Sequence, residues 1–420
     1  MAVVDEPEGS DDAWDLLVVG AGPAGSAAAL GALSADPTLR VLLLDRADFP
    51  RDKCCGDGIA PHVLDVLDGV GAGDVADGWA PVHRLEIAHS GPGVAGQLAR
   101  PVWVVPRAVF DARLVDRAVA AGAVLRRQRV SSVRRLGNRV VVDGSTSARV
   151  VVGADGAHSV VRSSLCLPGH GSRALAIRAY GPTPERRRGL QVIRFGDRPQ
   201  PSYAWAFDRG DGLSNVGYGE LVDRNRDRAA QAPTRSLMLE QLEHLLPGAT
   251  VGATGWRGHH LPLSGWRWHQ PDGPTLFAGD AAGLVNPMTG EGIYYAVLTG
   301  VLAGRAAAAA VAAGTPAAAG AVHRSAVRRR LAGHLRHTWA VSRLTRRPVV
   351  LDAGLRAAAR SPHVFDDLVE MGLGRGRITI GLATGLVAEL VRGVAPGHSS
   401  ARPAHPTVPS PDLPPYPVRR

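Results

Sequence analysis

The sequence predicts an α/β protein: a doubly wound parallel-sheet domain, an inserted and mostly antiparallel β-sheet domain, and a C-terminal helical region. Three observations predict it. The apolar run Asp15–Val19 ends in Gly20-Ala-Gly22-Pro-Ala24-Gly25, then a small-residue helix and a second apolar run, Val41–Leu44. Two further runs, at 151–154 and 274–278, break into Asp155-Gly156 and Gly279-Asp280. Between them, over about 170–265, the pattern is short, aromatic-bearing and rich in turns, as antiparallel strands are.

Each element follows in order. Asp15–Val19 carries no alternating polar face, so it reads as a strand buried on both sides. With the helix from Ala24 to about Leu33 and the strand at Val41–Leu44 it makes a βαβ unit. Leu64–Val70 reads as a helix, and Val82–Val105 as a two-stranded ribbon broken at glycines. Arg107–Ala121 has helical spacing through Val109, Phe110, Leu114, Val115 and Ala118. Short strands are expected around Val124, Val130, Val140–Val142 and Val150–Val152. A long helix is expected from about Glu291 to Ala313, and further basic helices over 320–392. The expected domain plan assigns 13–80, 101–168 and 269–318 to the first domain. It assigns the ribbon 81–100 and residues 169–268 to the second, and 319–394 to the helical region. An acidic, frayed N-terminus and a disordered Pro-rich tail at 395–420 complete the chain.

Composition narrows the function classes. A chain of 420 residues, 45% hydrophobic and 20% charged, is globular and large enough for two packed domains. Of the net charge of +10, residues 301–420 carry +11 (17 Arg against 6 acids) and the rest −1. Lys53 is the single lysine, so the Arg-rich bias reads as coding composition, and no nucleic-acid partner is expected. Three cysteines, Cys54 and Cys55 adjacent, cannot frame a disulfide fold, which suggests a reducing cytoplasm. Acids at 5, 6, 8, 11 and 12 argue against a secretory signal. With no uninterrupted apolar run of about 18 residues, nothing is expected to span a membrane. The stretch Ile378–Val391 is too short to span, yet it leaves a peripheral membrane contact open. The oligomeric state is not legible. His259-His260 lacks partners at ligand spacing, so no metal is expected.

The motifs define the chemistry. Gly20, Gly22 and Gly25, with Ala24 at the helix start, permit a tight turn and close approach of backbone to a pyrophosphate. Asp45, 20 residues after Gly25, stands where a carboxylate accepts from ribose hydroxyls. Asp280 would accept from a polyol, and Thr289-Gly290-Glu291-Gly292-Ile293 would turn N–H groups toward a flavin's pyrimidine edge. In this order and spacing, the segments around 22, 155 and 280 resemble the p-hydroxybenzoate hydroxylase-type FAD superfamily over about residues 13–315.

Within that superfamily, three pieces resemble the geranylgeranyl reductase family. They are Lys53-Cys54-Cys55-Gly56-Asp57-Gly58, Tyr203-Ala-Trp205-Ala-Phe207, and Leu284 through Tyr295. The resemblance implies an FAD cofactor, NAD(P)H as electron donor, and a hydrophobic isoprenoid substrate whose carbon–carbon double bonds are saturated. It implies cofactor contacts at Arg46, Cys55, Gly56, Gly58, Arg107, Val130 and Gly156 as well, and a substrate side built on Cys55, Tyr203 and Trp205. Tyr203, or a water near Cys55, would supply the proton. Two departures are Cys54 and Asp208, each where the family has proline; Asp208 is expected near the channel mouth. The alternative is an FAD-dependent aromatic or polyketide monooxygenase on the same fold. A flavin halogenase lacks its W-x-W-x-I-P signature here, since Trp266-Arg-Trp268 runs into His269-Gln270.

Overall fold

The computed structural model describes residues 14–91, 93–137, 139–168, 171–222 and 233–394. The acidic N-terminal stretch up to residue 13 and the Pro-rich segment 395–420 lie outside them. The first sheet is built on Trp14–Val19, which pairs in parallel with Val41–Asp45 on one side and with Thr146–Gly153 on the other. Val124–Arg127 extends it beyond Val41–Asp45, and Thr275–Phe277 adds to Thr146–Gly153, both in parallel. An antiparallel meander, Val133–Leu136 and Arg139–Val142, completes it. Val130, expected in a strand, lies in the loop before Val133–Leu136, and its side chain is buried.

Helix packing fixes the geometry of this domain. The helix Pro23–Leu33 is buried along its whole length, and the long helix Ile293–Ala312 crosses it at backbone contact. A Cβ at Gly300 would stand 2.2 Å from the Ala24 carbonyl oxygen, and one at Gly304 2.0 Å from that of Ala28. Only glycine allows so close a crossing, and the alanines on both helices fill the rest of the interface. By length and composition Ile293–Ala312 is apolar enough to cross a membrane. Yet 78% of its apolar window is buried inside the protein, which makes it the core helix of the first domain.

The second sheet has eight strands, in the order 254–262, 173–182, 213–222, 202–208, 190–195, 82–88, 94–104 and 58–59. All its pairs are antiparallel except that of 190–195 with 82–88. The ribbon's second strand runs to Val104, within the Val82–Val105 read from sequence and past the bound of 100 in the expected domain plan. One face of the sheet packs Ala204, Ala206 and Tyr218 against Met238 and Leu242 of the helix Arg235–Leu245. Helices Ala319–Leu344, Pro348–Arg360, Pro362–Leu373 and Ile380–Val394 form the C-terminal region. They close over the ribbon through Val94, Leu98 and Val102 against Val364, Phe365 and Leu382. Cys166 is exposed in a left-handed backbone conformation, φ +53°.

Substitution of Gly304 by valine should therefore overpack the helix crossing by roughly 3 kcal/mol or more. Thermal denaturation would show it as a large fall in Tm or as insolubility, whereas Ala312→Val at the helix end should be tolerated.

Candidate active site

One cavity of about 1350 Å³ runs between the two sheets and under the C-terminal helices. Its walls gather nearly every residue singled out from sequence. Arg46, Asp45 and Val130 line one end, and Gly20, Gly22 and Ala24 the stretch beside the first helix. Arg107, Asp155, Gly156 and Asp280 line its middle together with Cys55, Gly56, Gly58, Gly290, Gly292 and Ile293. Tyr203 and Trp205 line the sheet side. Gly25 is the exception. It makes the turn possible, since a Cβ there would sit 1.7 Å from the Gly20 carbonyl oxygen.

The polar end is pre-organised. Asp45 accepts from the Ala21 N–H at 2.8 Å through Oδ2 and from the Ala47 N–H at 2.9 Å through Oδ1. Its carboxylate thus ties the second strand to the glycine loop. Arg51, which sequence reading passed over, reaches Asp45 (3.6 Å) and Asp111 (3.2 Å), with Nη2 3.2 Å from where a Gly22 Cβ would stand. Arg107 is buried and held by a two-pronged bond to Asp111, 2.6 and 2.8 Å. Asp155 Oδ2 caps the short helix Val160–Ser164 by accepting from the Val160 N–H at 2.6 Å. Its Oδ1 is buried without a protein partner, and burial raises its pKa. Asp280, expected to meet a polyol, is ion-paired with Lys53 Nζ at 3.1 Å. Burial would raise its pKa, but the Lys53 ammonium overrides this and holds it below the usual carboxylate range.

A long cavity with glycine backbone along one side, two helix N-termini, a buried arginine and an orphaned carboxylate oxygen fits a dinucleotide. The residues that would hold FAD are those of the glycine loop, Asp45, Arg107, Asp155, Asp280 and the 289–293 loop. Two amides of that last loop are already committed. The Gly290 N–H donates to the Asn286 carbonyl at 2.9 Å, and the Glu291 N–H to Thr289 Oγ1 at 3.4 Å. The row of free N–H groups expected there is correspondingly shorter. Burial raises Glu291 to about 7.

The cysteine loop is locked to the second sheet by residues that the sequence did not flag. Asn215 is fully buried, donates to the Cys55 carbonyl and to Asp57 Oδ2, and accepts from the Trp205 indole N–H, each at 2.8 Å. Tyr180 donates to Asp57 Oδ2 at 2.5 Å. Arg178, with no exposed surface, pairs with Asp52 and donates to the Lys53 carbonyl at 3.1 Å. Burial raises Asp57 to about 6 and keeps the Cys55 thiol protonated at neutral pH. Cys54, in place of proline, donates to the Arg257 carbonyl at 3.3 Å and fills the core. A lone lysine in a loop with two acids was the one signal pointing here; Asn215 gave none.

Tyr203, Trp205 and Phe207 line the cavity, their neighbouring rings 5.9 and 6.4 Å apart. The Tyr203 hydroxyl donates to the Thr289 carbonyl, and burial raises its pKa, so its proton is committed. Asp208 is not at a channel mouth. It is buried, away from the cavity lining, and accepts from the Gly189 N–H at 2.6 Å and the Gly210 N–H at 3.1 Å. Among the described residues no group of three metal-ligating side chains forms.

Fold and site together define an FAD-dependent oxidoreductase. Residues 13–185 match the FAD binding domain family. A menaquinone reductase of Mycolicibacterium smegmatis is 34% identical over 317 residues, 69% of this chain and 75% of that protein. A geranylgeranyl diphosphate reductase of Rhodobacter capsulatus is 32% identical, covering 72% and 77%. A geranylgeranyl bacteriochlorophyll reductase-like structure from Thermoplasma acidophilum superposes with TM-score 0.70 at 19% identity, over 91% of this chain and 98% of that one. The chain belongs to the geranylgeranyl reductase family of FAD-dependent oxidoreductases.

Two tests follow from this geometry. Asp57 has a folded pKa raised from 3.8 to about 6, so its contribution is fully present below the unfolded value and lost as pH rises through about 6. The stability gained by Asp57→Asn over wild type should grow by roughly 1–2 kcal/mol between about pH 5 and 7.5, read from paired melts. An advantage that does not change with pH would show that Asp57 is not held neutral by burial. Asn215→Leu leaves the Cys55 carbonyl and the Trp205 indole unpaired, at a cost of roughly 1–3 kcal/mol. Tryptophan emission of the FAD-loaded protein should change with it.

Proposed function

We propose that this protein saturates carbon–carbon double bonds of an isoprenoid chain, with FAD held between the two sheets and NAD(P)H as the electron donor. The observation that carries this reading is the shape and lining of the cavity beyond Trp205. There it becomes almost wholly apolar, passing Leu85, Leu98 and Val102 of the ribbon and Leu355, Leu368 and Leu382 of the C-terminal helices. A dry, elongated, aliphatic chamber fits an extended hydrocarbon chain better than a compact polar ring.

FAD in the cradle would supply the hydride for one alkene carbon. The chain's own residues then have three tasks. Trp205 and Phe207 form the wall against which a double bond is oriented. The C-terminal helices exclude water from the far chamber. An isolated alkene gives no carbonyl to stabilise negative charge, so a proton must arrive with the hydride. Groups in the wall that hold one near neutrality are the Cys55 thiol, whose pKa burial raises, and Glu291, at about 7. Tyr203 is better suited to fixing the 289–293 loop than to donating. In this reading 13–80, 101–168 and 269–318 form the cofactor domain and 81–100 with 169–268 the substrate domain, apart from Gly58–Ile59 and residues 101–104, which pair in the second sheet.

Reduced enzyme incubated anaerobically with prenyl lipids should give products about two mass units heavier per bond. A gain of about sixteen units that requires oxygen would replace this reading with the monooxygenase. Bleaching of the flavin by NADPH or NADH tests the donor. Leu355→Trp should shorten the chain length turned over while leaving FAD content unchanged; equal loss for short and long chains would argue against the apolar chamber as the substrate site.

A further inference from the structure

The last helix, Ile380–Val394, is built inside out. Its single acid, Glu389, is buried and bonded to Arg356 (3.4 Å), Arg360 (2.8 Å) and Arg392. Leu382 packs on the ribbon, but a second apolar row faces outward at helical spacing: Ile380 is 84% exposed, Val387 58% and Val391 65%. A helix on the surface of a globular protein ordinarily turns its apolar stripe to the core. Leu344 and Val349, 46% and 55% exposed, are the large apolar residues that flank Arg346, Arg347 and Pro348. Two of these exposed residues, Leu344 and Val387, also line the cavity, so the patch surrounds an opening of the apolar chamber. Exposed arginines stand around it: Arg343, Arg346 and Arg347 at one side and Arg377 just before the helix.

We propose that this face docks on an anionic lipid bilayer, with Ile380, Val387 and Val391 entering the acyl boundary and the arginines meeting lipid phosphates. An outward apolar stripe within a basic surround is the arrangement by which a helix lies in a membrane interface. The opening then faces the hydrocarbon, so a chain dissolved in the bilayer enters the chamber without crossing water. This step rests on the isoprenoid reading above, but docking itself is measured without turnover.

Full-length, FAD-loaded protein is floated with vesicles of phosphatidylcholine containing phosphatidylglycerol, and with phosphatidylcholine alone. Flotation is expected on the first, at least about tenfold weaker on the second, and lost at high salt. The double variant Ile380→Glu, Val391→Glu alters two residues outside the cavity lining. It should float at least about tenfold less while keeping its Tm, its flavin and its turnover of a short detergent-dispersed prenyl substrate. Failure of the wild type to float overturns the proposal, as does a double variant that floats like wild type. A dimer of the wild type that the double variant dissociates, without flotation of either, assigns the face to a second copy and overturns it too. Flotation without any prenyl reduction leaves docking standing and overturns the substrate reading alone.

Discussion

The site depends first on the crossing of two helices whose contact surfaces are almost bare backbone. Pro23–Leu33 and Ile293–Ala312 lie close enough that Gly300 and Gly304 face the carbonyl oxygens of Ala24 and Ala28. The helices come from opposite ends of the first domain's sequence, and the contact brings their N-termini to the same cleft. Each start then aims the positive end of a helix dipole at one cavity. Wider spacing, from even one larger side chain at the crossing, would separate the glycine loop from the 289–293 loop. The anion-binding end and the ring-binding end would then no longer share one ligand.

A second dependence joins the domains. The cysteine loop belongs in sequence to the first domain but is bonded by the second, through Asn215, Tyr180 and Arg178. Arg178 also lies over the Tyr180 ring at 4.4 Å, so the three form one buried polar cluster. Buried polar groups are costly unless paired; here the Asn215 amide, the Tyr180 hydroxyl and Arg178 Nη2 find partners across the domain boundary, while Asp57 Oδ1 and Arg178 Nε do not. That makes the spacing between Cys55 and Trp205 a property of the second sheet's register rather than of a mobile loop. Asn215 touches both and stands one residue from Val216, whose side chain packs on the opposite face.

How much of this was legible follows from range. The glycine loop, Asp45, Asp155 and Asp280 were readable because each function sits within a few residues of a strand end, where local pattern and chemistry coincide. Helix positions such as Arg107–Ala120 were readable for the same reason. Asn215, Tyr180 and Arg178 were not, since their partners lie more than a hundred residues away and a strand with one asparagine looks like any other. Asp208 misled for the converse reason: its motif position suggested a channel, while its bonds to Gly189 and Gly210 make it a turn cap. Ile293–Ala312 was readable as a long helix, while its burial was not, because Arg305 interrupts the apolar run. Its fate is decided by the partner helix, which no local window contains.

The charges along the cavity form a gradient with a chemical consequence. At the cofactor end Asp45, Asp111 and Asp280 face Arg51, Arg107 and Lys53, and the Lys53 ammonium holds Asp280 below the usual carboxylate range. Moving toward the chamber, Asp57, Glu291 and Cys55 are buried with weaker compensation, and burial pushes all three pKa values upward. Past Trp205 the walls carry hydrocarbon. A substrate chain entering from the C-terminal helices therefore meets the protonated Cys55 thiol and Glu291, which holds a proton near neutrality, before it meets the ion pairs. Under the proposed reaction that order matters, because an ionised carboxylate beside a double bond would repel the negative charge that hydride transfer builds up. A protonated thiol or carboxyl can neutralise it. The same burial that raises Cys55 and Glu291 thus leaves proton-holding groups in the wall between cofactor and chamber, as the proposed alkene reduction requires.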